Sequence, residues 1–165
     1  MRMRIGLRAI AVCAVVALAG CTPAAGGPIL TDYGHSFGFC VGFCDGRVHI
    51  AGSTLTLTLT DHRSGAVVTH TGSLASDALD RLTSAEASID ASSLLPVNGC
   101  PDCADGGASF LTLHTMSGDV ATRYEAGNPP TVLAALDQVG SELLGALRSC
   151  QSTALVTIVG PCIAA

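Results

Sequence analysis

Six cysteines carry the most chemistry in this sequence: Cys40 and Cys44, Cys100 and Cys103, and Cys150 and Cys162. Three chemistries fit them. Cys100-Pro101-Asp102-Cys103 has the C-x-x-C spacing of thiol oxidoreductases, in which a helix start lowers the pKa of the first thiol. Here Asn98-Gly99 precedes the motif and Ala104-Asp105-Gly106-Gly107 follows it, a composition that reads as loop. The two nearby aspartates disfavour a thiolate, so redox catalysis is the minority reading. Cys40, Cys44, Cys100 and Cys103 together offer C-x-x-x-C with C-x-x-C, a tetrahedral thiolate set for zinc. The third chemistry is structural: an even number of cysteines in an exported chain reads first as disulfides.

Other residues suggest activities that their surroundings withhold. Gly34-His35-Ser36-Phe37-Gly38 matches the G-x-S-x-G nucleophile elbow, which needs a buried strand before the serine and a helix after it. Only a short polar stretch precedes Ser36, and a glycine-rich, cysteine-bearing segment follows. The expectation is turns, with Phe37, Phe39 and Phe43 plugging the core around the cysteines. The histidines at 35, 49, 62, 70 and 114 show no H-E-x-x-H and no helical pairing. His49, His70 and His114 each fall on an expected strand, and independent surface or boundary positions are preferred to a shared metal site. Asp102, Asp105 and Asp119 are possible calcium ligands but lack the EF-hand spacing.

The elements that position these groups can be read from periodicity. Thr54-Leu55-Thr56-Leu57-Thr58-Leu59-Thr60 alternates without a break, the period of a strand with one buried face. Residues 48–50 precede it and residues 66–71 follow it across Asp61-His62-Arg63-Ser64-Gly65, a hairpin connection. Ser76-Asp77 offers a cap, and Leu74, Ala78, Leu82, Ala85 and Ile89 recur at helical spacing, which predicts a helix over 75–91. Residues 109–115 and 120–125 read as a second hairpin. Pro129-Pro130 suits a helix start, and Val132, Leu136, Val139, Leu143 and Leu147 predict the principal core helix over 130–149. Residues 154–159 form a last strand. The fold class is α+β: an antiparallel sheet of about five to six strands with two helices on one face, reinforced by disulfides.

The chain opens Met1-Arg2-Met3-Arg4, adds Arg8, and runs uncharged from Ala9 to Gly20. That is a basic segment followed by an apolar one too short to span a bilayer, the pattern of a cleaved export signal. The run ends Leu18-Ala19-Gly20-Cys21, which resembles the lipobox of bacterial lipoproteins, where the cysteine receives diacylglycerol. The resemblance implies lipidation at Cys21. Two or more acyl chains make an anchor durable, whereas one holds only marginally. The expected organisation is a signal over 1–20, a flexible tether over 21–30 and one domain over 31–165.

Composition narrows the activities further. All eight basic residues are arginines, and three lie in the signal, leaving five against thirteen acids, a balance of −8. An acidic surface argues against nucleic acid and against a polybasic grip on lipid. Without lysine there is no Schiff base, Walker loop or serine-lysine centre. With no tryptophan and 4% aromatics, sugar-stacking platforms are not expected and the core must be aliphatic.

Six cysteines allow 15 pairings, which sequence alone does not choose among. Cys150 and Cys162 flank the last strand and are expected to pair. Cys40 and Cys44 are expected to pair with Cys100 and Cys103, because bridges spanning some sixty residues remove about 4 kcal/mol of loop entropy from the unfolded chain.

Ser36-Phe37-Gly38-Phe39-Cys40-Val41-Gly42-Phe43-Cys44 and Gly99-Cys100-Pro101-Asp102-Cys103-Ala104-Asp105-Gly106-Gly107-Ala108 resemble signatures of a family of uncharacterised exported bacterial lipoproteins, over roughly Tyr33 to Leu147. The resemblance implies a shared fold with the two motifs meeting in space, and brings no activity. The functional expectation is a non-catalytic binding or structural domain with no cofactor and no metal. Its partners are the membrane, through Cys21, and an envelope protein or ligand. A metal-binding module, a thiol oxidoreductase at Cys100 and Cys103, and a serine hydrolase at Ser36 are the alternatives.

Overall fold

A computed structural model describes residues 27–103 and 106–164. The export signal, Cys21, the first part of the tether and Asp105 lie outside the described residues. Eight strands form one sheet: β1 (Ile29–Ser36), β2 (Phe43–Ala51), β3 (Thr54–Asp61), β4 (Val67–Leu74), β5 (Val97–Asn98), β6 (Ala108–Thr115), β7 (Gly118–Glu125) and β8 (Val156–Val159). Their order is β5-β7-β6-β1-β2-β3-β4-β8, antiparallel throughout except for the parallel pair β5 and β7. Helices α1 (Ser76–Glu86) and α2 (Ala134–Ser149) pack against each other and against the sheet.

The α+β class holds, with more strands than the five to six expected. Two strands were missed outright: the two-residue edge strand β5, and β1, near the middle of the sheet. β1 pairs with β6 on one side and β2 on the other. A register shift between Leu30 and Asp32 makes Thr31 an extra residue, so Leu30 and Tyr33, three apart, both enter the core. Ile29 and Leu30, the last two residues of the expected tether, belong to this strand. Ser36 is its last residue, and a loop rather than a helix follows.

β3 follows its alternation: Leu55, Leu57 and Leu59 are fully buried, and the threonines line the opposite face. Asp61 Oδ1 closes the next turn by accepting from the amides of Arg63 (2.8 Å) and Ser64 (2.9 Å). The first helix is shorter than the predicted 75–91. Ala75 is its N-cap without a side-chain bond, and it ends at Glu86. The chain then makes a turn and a 3-10 segment over Ala91–Ser93, capped by Asp90, with Ile89 still buried. In the second helix region Thr131–Leu133 is a 3-10 turn and the α-helix proper starts at Ala134. Leu136, Val139, Leu143 and Leu147 are buried as its spacing predicts, while Val132 is exposed. Cys150, in the left-handed region at φ 55°, ends α2 with its amide on the carbonyls of Ala146 and Leu147.

Candidate functional site

The cysteine-rich loops sit at one end of β1, because Ser36 pairs with Ala108 and Asp45 there. Both motif loops therefore lie at the same end of the sheet. Their sulfurs, however, do not cross-link the loops. Cys40 pairs with Cys44 and Cys100 with Cys103, at Cα separations of 5.7 Å and 5.4 Å. This corrects the long-range pairing expected from loop entropy. That argument weighs the unfolded chain, while native pairing goes to the sulfurs that the folded backbone already holds in bridging range. The amide of Cys103 bonds the carbonyl of Cys100 (3.1 Å), a turn that brings the pair together locally. Contact between the loops runs through Phe37 and Gly107, where an added Cβ would stand 2.6 Å from Phe37 Cε1. Phe37 and Phe43 are half-buried, but Phe39 is exposed and plugs nothing. With the four sulfurs paired in two bridges, the tetrahedral thiolate set is not assembled. The Cys150–Cys162 pair forms as expected, with Cα atoms 5.6 Å apart.

The remaining sequence candidates disperse. His35 faces α2, while its neighbour Ser36 lines a hollow on the opposite, threonine-bearing face with Arg47, Phe110 and Arg123. His49 Nδ1 and Arg47 Nε both bond Asp32 Oδ1, at 3.1 Å and 2.9 Å. His62 pairs with Asp45, and His114 Nδ1 with Asp119 Oδ1 (2.7 Å). His70 is buried in the core. Asp102 pairs with Arg123 and its amide bonds the Gly107 carbonyl just before β6, whereas Asp119 lies opposite His114 near the other end of that strand. A strand of eight residues spans roughly 25 Å, so the two share no ion.

Two assemblies were not legible beforehand. The first is a polar network under α2. The Tyr33 hydroxyl donates to Asp137 Oδ1 (2.8 Å), leaving its lone pairs for His35 Nε2–H (2.7 Å) and Ser141 Oγ–H (2.6 Å). Tyr124 donates to the same Asp137 oxygen at 2.6 Å. Burial pushes both phenols well above their ordinary range, so neither ionises near neutrality. Burial also lowers the His35 pKa, outweighing the attraction of Asp137. With each Tyr33 position taken, the network locks α2 to the sheet.

The second is a cleft at the opposite end of β1, where the tether joins. It has a volume of about 390 Å³, within the usual range of small-molecule sites. Leu30, Ile50, Leu74 and Leu82 form its walls, and Ile29 and Leu79, each 54% exposed, form its rim. Glu86 closes one side, its Oε1 accepting the amide of Leu30 at 2.7 Å. Burial raises the Glu86 pKa, and the Leu30 hydrogen bond opposes that only in part. A second hollow of about 410 Å³ shares Ile29, Leu79 and Glu86 and extends past Pro28. The walls come from β1, β2, β4 and α1, which places a continuous apolar groove beside the first described residues. Comparison of the chain with protein-family models, with curated proteins and with solved structures finds no match.

Proposed function

We propose that this chain is a lipid-anchored domain of the cell envelope, outside the cytoplasm, that binds an amphiphile and carries no catalytic centre. The observation that carries the binding role is the apolar cleft at the root of the tether. A ligand with an aliphatic segment covers the half-exposed Ile29 and Leu79 and gains about 25 cal/mol for each Å² of apolar surface removed from water. A hydroxyl or amine head then meets the Glu86 carboxyl at the cleft wall. Anchoring rests on the residues up to Cys21. None of the described helices is long and apolar enough to cross a membrane. A tether rooted beside the cleft keeps its mouth within reach of lipid.

The test uses Cys21→Ser protein and a fluorescent long-chain fatty alcohol. Saturable binding is expected, with Leu79→Asp weakening it at least tenfold, since a charge on the rim opposes apolar burial. Absence of saturation, or an unchanged affinity in Leu79→Asp, overturns the reading. Fractionation tests the anchor: wild-type protein partitions with membranes, and a Cys21→Ser product that stays there refutes lipidation.

One observation favours a second reading. Cys100 and Cys103 are joined to each other and both are exposed, so the sulfurs are open to an attacking thiolate. Thiol exchange at this pair predicts faster reaction with a small dithiol than at Cys40–Cys44, where Cys44 is buried. Equal rates at the two bridges remove the support for it.

A further inference from the structure

His70 projects from β4 into the core, opposite Leu57 on β3, and is 2% exposed. Its Nδ1 lies 2.9 Å from the carbonyl oxygen of Leu147, on the last turn of α2. A carbonyl only accepts, so Nδ1 carries the hydrogen, and in the neutral ring the lone pair sits on Nε2. That Nε2 is buried and bonds to no protein group. Buried polar atoms are nearly always partnered, so an orphaned imidazole nitrogen in a core calls for a reason.

Two sulfur ligands lie close to the same ring. The Leu147 carbonyl that holds His70 also receives the amide of Cys150, so one helix end fixes both residues. Cys150 is joined to Cys162, and a ring nitrogen of His70 and the two sulfurs all lie within 4.8 Å of one another. Among the described residues this is the one group of three metal-ligating side chains within reach of a single ion. Tetrahedral zinc with bonds of about 2.3 Å to sulfur and 2.0 Å to nitrogen sets its ligands roughly 3.5–3.8 Å apart. Bonded sulfurs stand closer than that, so they must part before one ion can sit among the three atoms. The Nδ1–H to carbonyl bond is also the outer contact that metal-bound histidines use to fix their tautomer.

We propose that His70, Cys150 and Cys162 form a redox-gated site for a thiophilic, tetrahedral metal ion such as zinc: closed while the disulfide stands and open when it is reduced. An exogenous dithiol supplies two electrons and two protons; the Cys150–Cys162 bond breaks to two thiols and the dithiol becomes a disulfide. The divalent ion then displaces both thiol protons and takes the His70 lone pair, leaving a fourth position for water. Both cysteines are half-buried, so reductant and ion reach them from solvent, while His70 stays beneath. The cap geometry of Cys150 and the strand position of His70 hold two ligands in place, and Cys162, beyond β8, is the ligand that moves.

The experiment uses the full chain with Cys13, Cys21, Cys40, Cys44, Cys100 and Cys103 changed to serine, so that only Cys150 and Cys162 remain, titrated with zinc or cobalt before and after reduction. One equivalent is expected to bind the reduced protein and none the oxidised protein, with thiolate-to-cobalt charge-transfer absorption. His70→Asn, whose side-chain amide can still donate to Leu147, is expected to weaken zinc at least tenfold while leaving circular dichroism unchanged. Cys162→Ser, in the tail beyond the core, is expected to abolish the charge-transfer band and serves as the second variant if His70→Asn does not fold. Equal binding by oxidised and reduced protein, no binding by reduced protein, or full affinity without His70 or Cys162 each overturns the proposal.

Discussion

Two glycines on α2 make opposite predictions for the same substitution. Gly145 is exposed, with nothing within 4 Å of an added Cβ. Gly145→Ala gains only the helix preference of alanine, about 0.8–1.0 kcal/mol. Gly140 is buried against the face of Tyr33: an added Cβ would stand 2.8 Å from Cε2 and closer still to Cγ and Cδ2. The pair must open by about an ångström to reach an ordinary carbon separation of roughly 3.5–4.0 Å. Tyr33 cannot give way. Its hydroxyl is held by Asp137, Ser141 and His35, and the next residue, Gly34, packs so closely on Phe110 that its own Cβ would stand 2.7 Å from Cε2. Overpacking costs about 1–3 kcal/mol, and each hydrogen bond disturbed adds about 1 kcal/mol. Set against the same helix gain, Gly140→Ala is expected to destabilise by a net ~1–4 kcal/mol. Urea unfolding of Cys21→Ser protein carrying each change reads the sign from the midpoint, provided the slope is unchanged. A Gly140→Ala midpoint at or above that of the parent protein refutes the packing of α2 on Tyr33.

Leu136→Ala at a fully buried position is expected to cost about 2–5 kcal/mol in the same assay, and a loss of only a few tenths means the wrong helix face was assigned. Burial raises the Glu86 pKa, so the native state prefers its protonated form, and its contribution is fully present below the ordinary value of 4.5 and lost as pH rises through the folded value. Glu86→Gln, which still accepts from Leu30, is therefore expected to raise stability at pH 7 and to converge with wild type at low pH; parallel profiles refute the burial argument. His35 has the opposite sign: burial lowers its pKa, so its contribution is present above the ordinary 6.5 and lost as pH falls through the folded value. His35→Gln is expected to flatten the loss of stability between pH 7.5 and 5, as read from urea midpoints, and an unchanged slope refutes it.

What the sequence disclosed depended on regularity. The Thr-Leu alternation of β3 and the 3-4 spacing of α2 each announce an element whose burial repeats, and both were legible. β1 was not, because the extra residue at Thr31 breaks its alternation and the flanking Gly-Gly-Pro and Gly34, Gly38 imitate a loop. Gly34 is there because Phe110 crosses the strand closely, a tertiary fact with no local signature. The cleft draws on residues from 29 to 86, and the His70, Cys150 and Cys162 group on residues from 70 to 162, so neither has a spacing to recognise. The Cys150–Cys162 pair was legible because a short terminal strand lies between them. The other two bridges were misread because an entropy argument about the unfolded chain was applied where local turn geometry decides.

The most direct test of the binding role is methyl NMR of Cys21→Ser protein titrated with a long-chain fatty alcohol. The methyls of Ile29, Leu30, Ile50, Leu74, Leu79 and Leu82 report on the cleft, and those of Thr54, Thr56, Thr58 and Thr60 on the opposite sheet face. Saturable shifts confined to the first group are the predicted result. Shifts that fail to saturate, or that spread over the threonine face, contradict it.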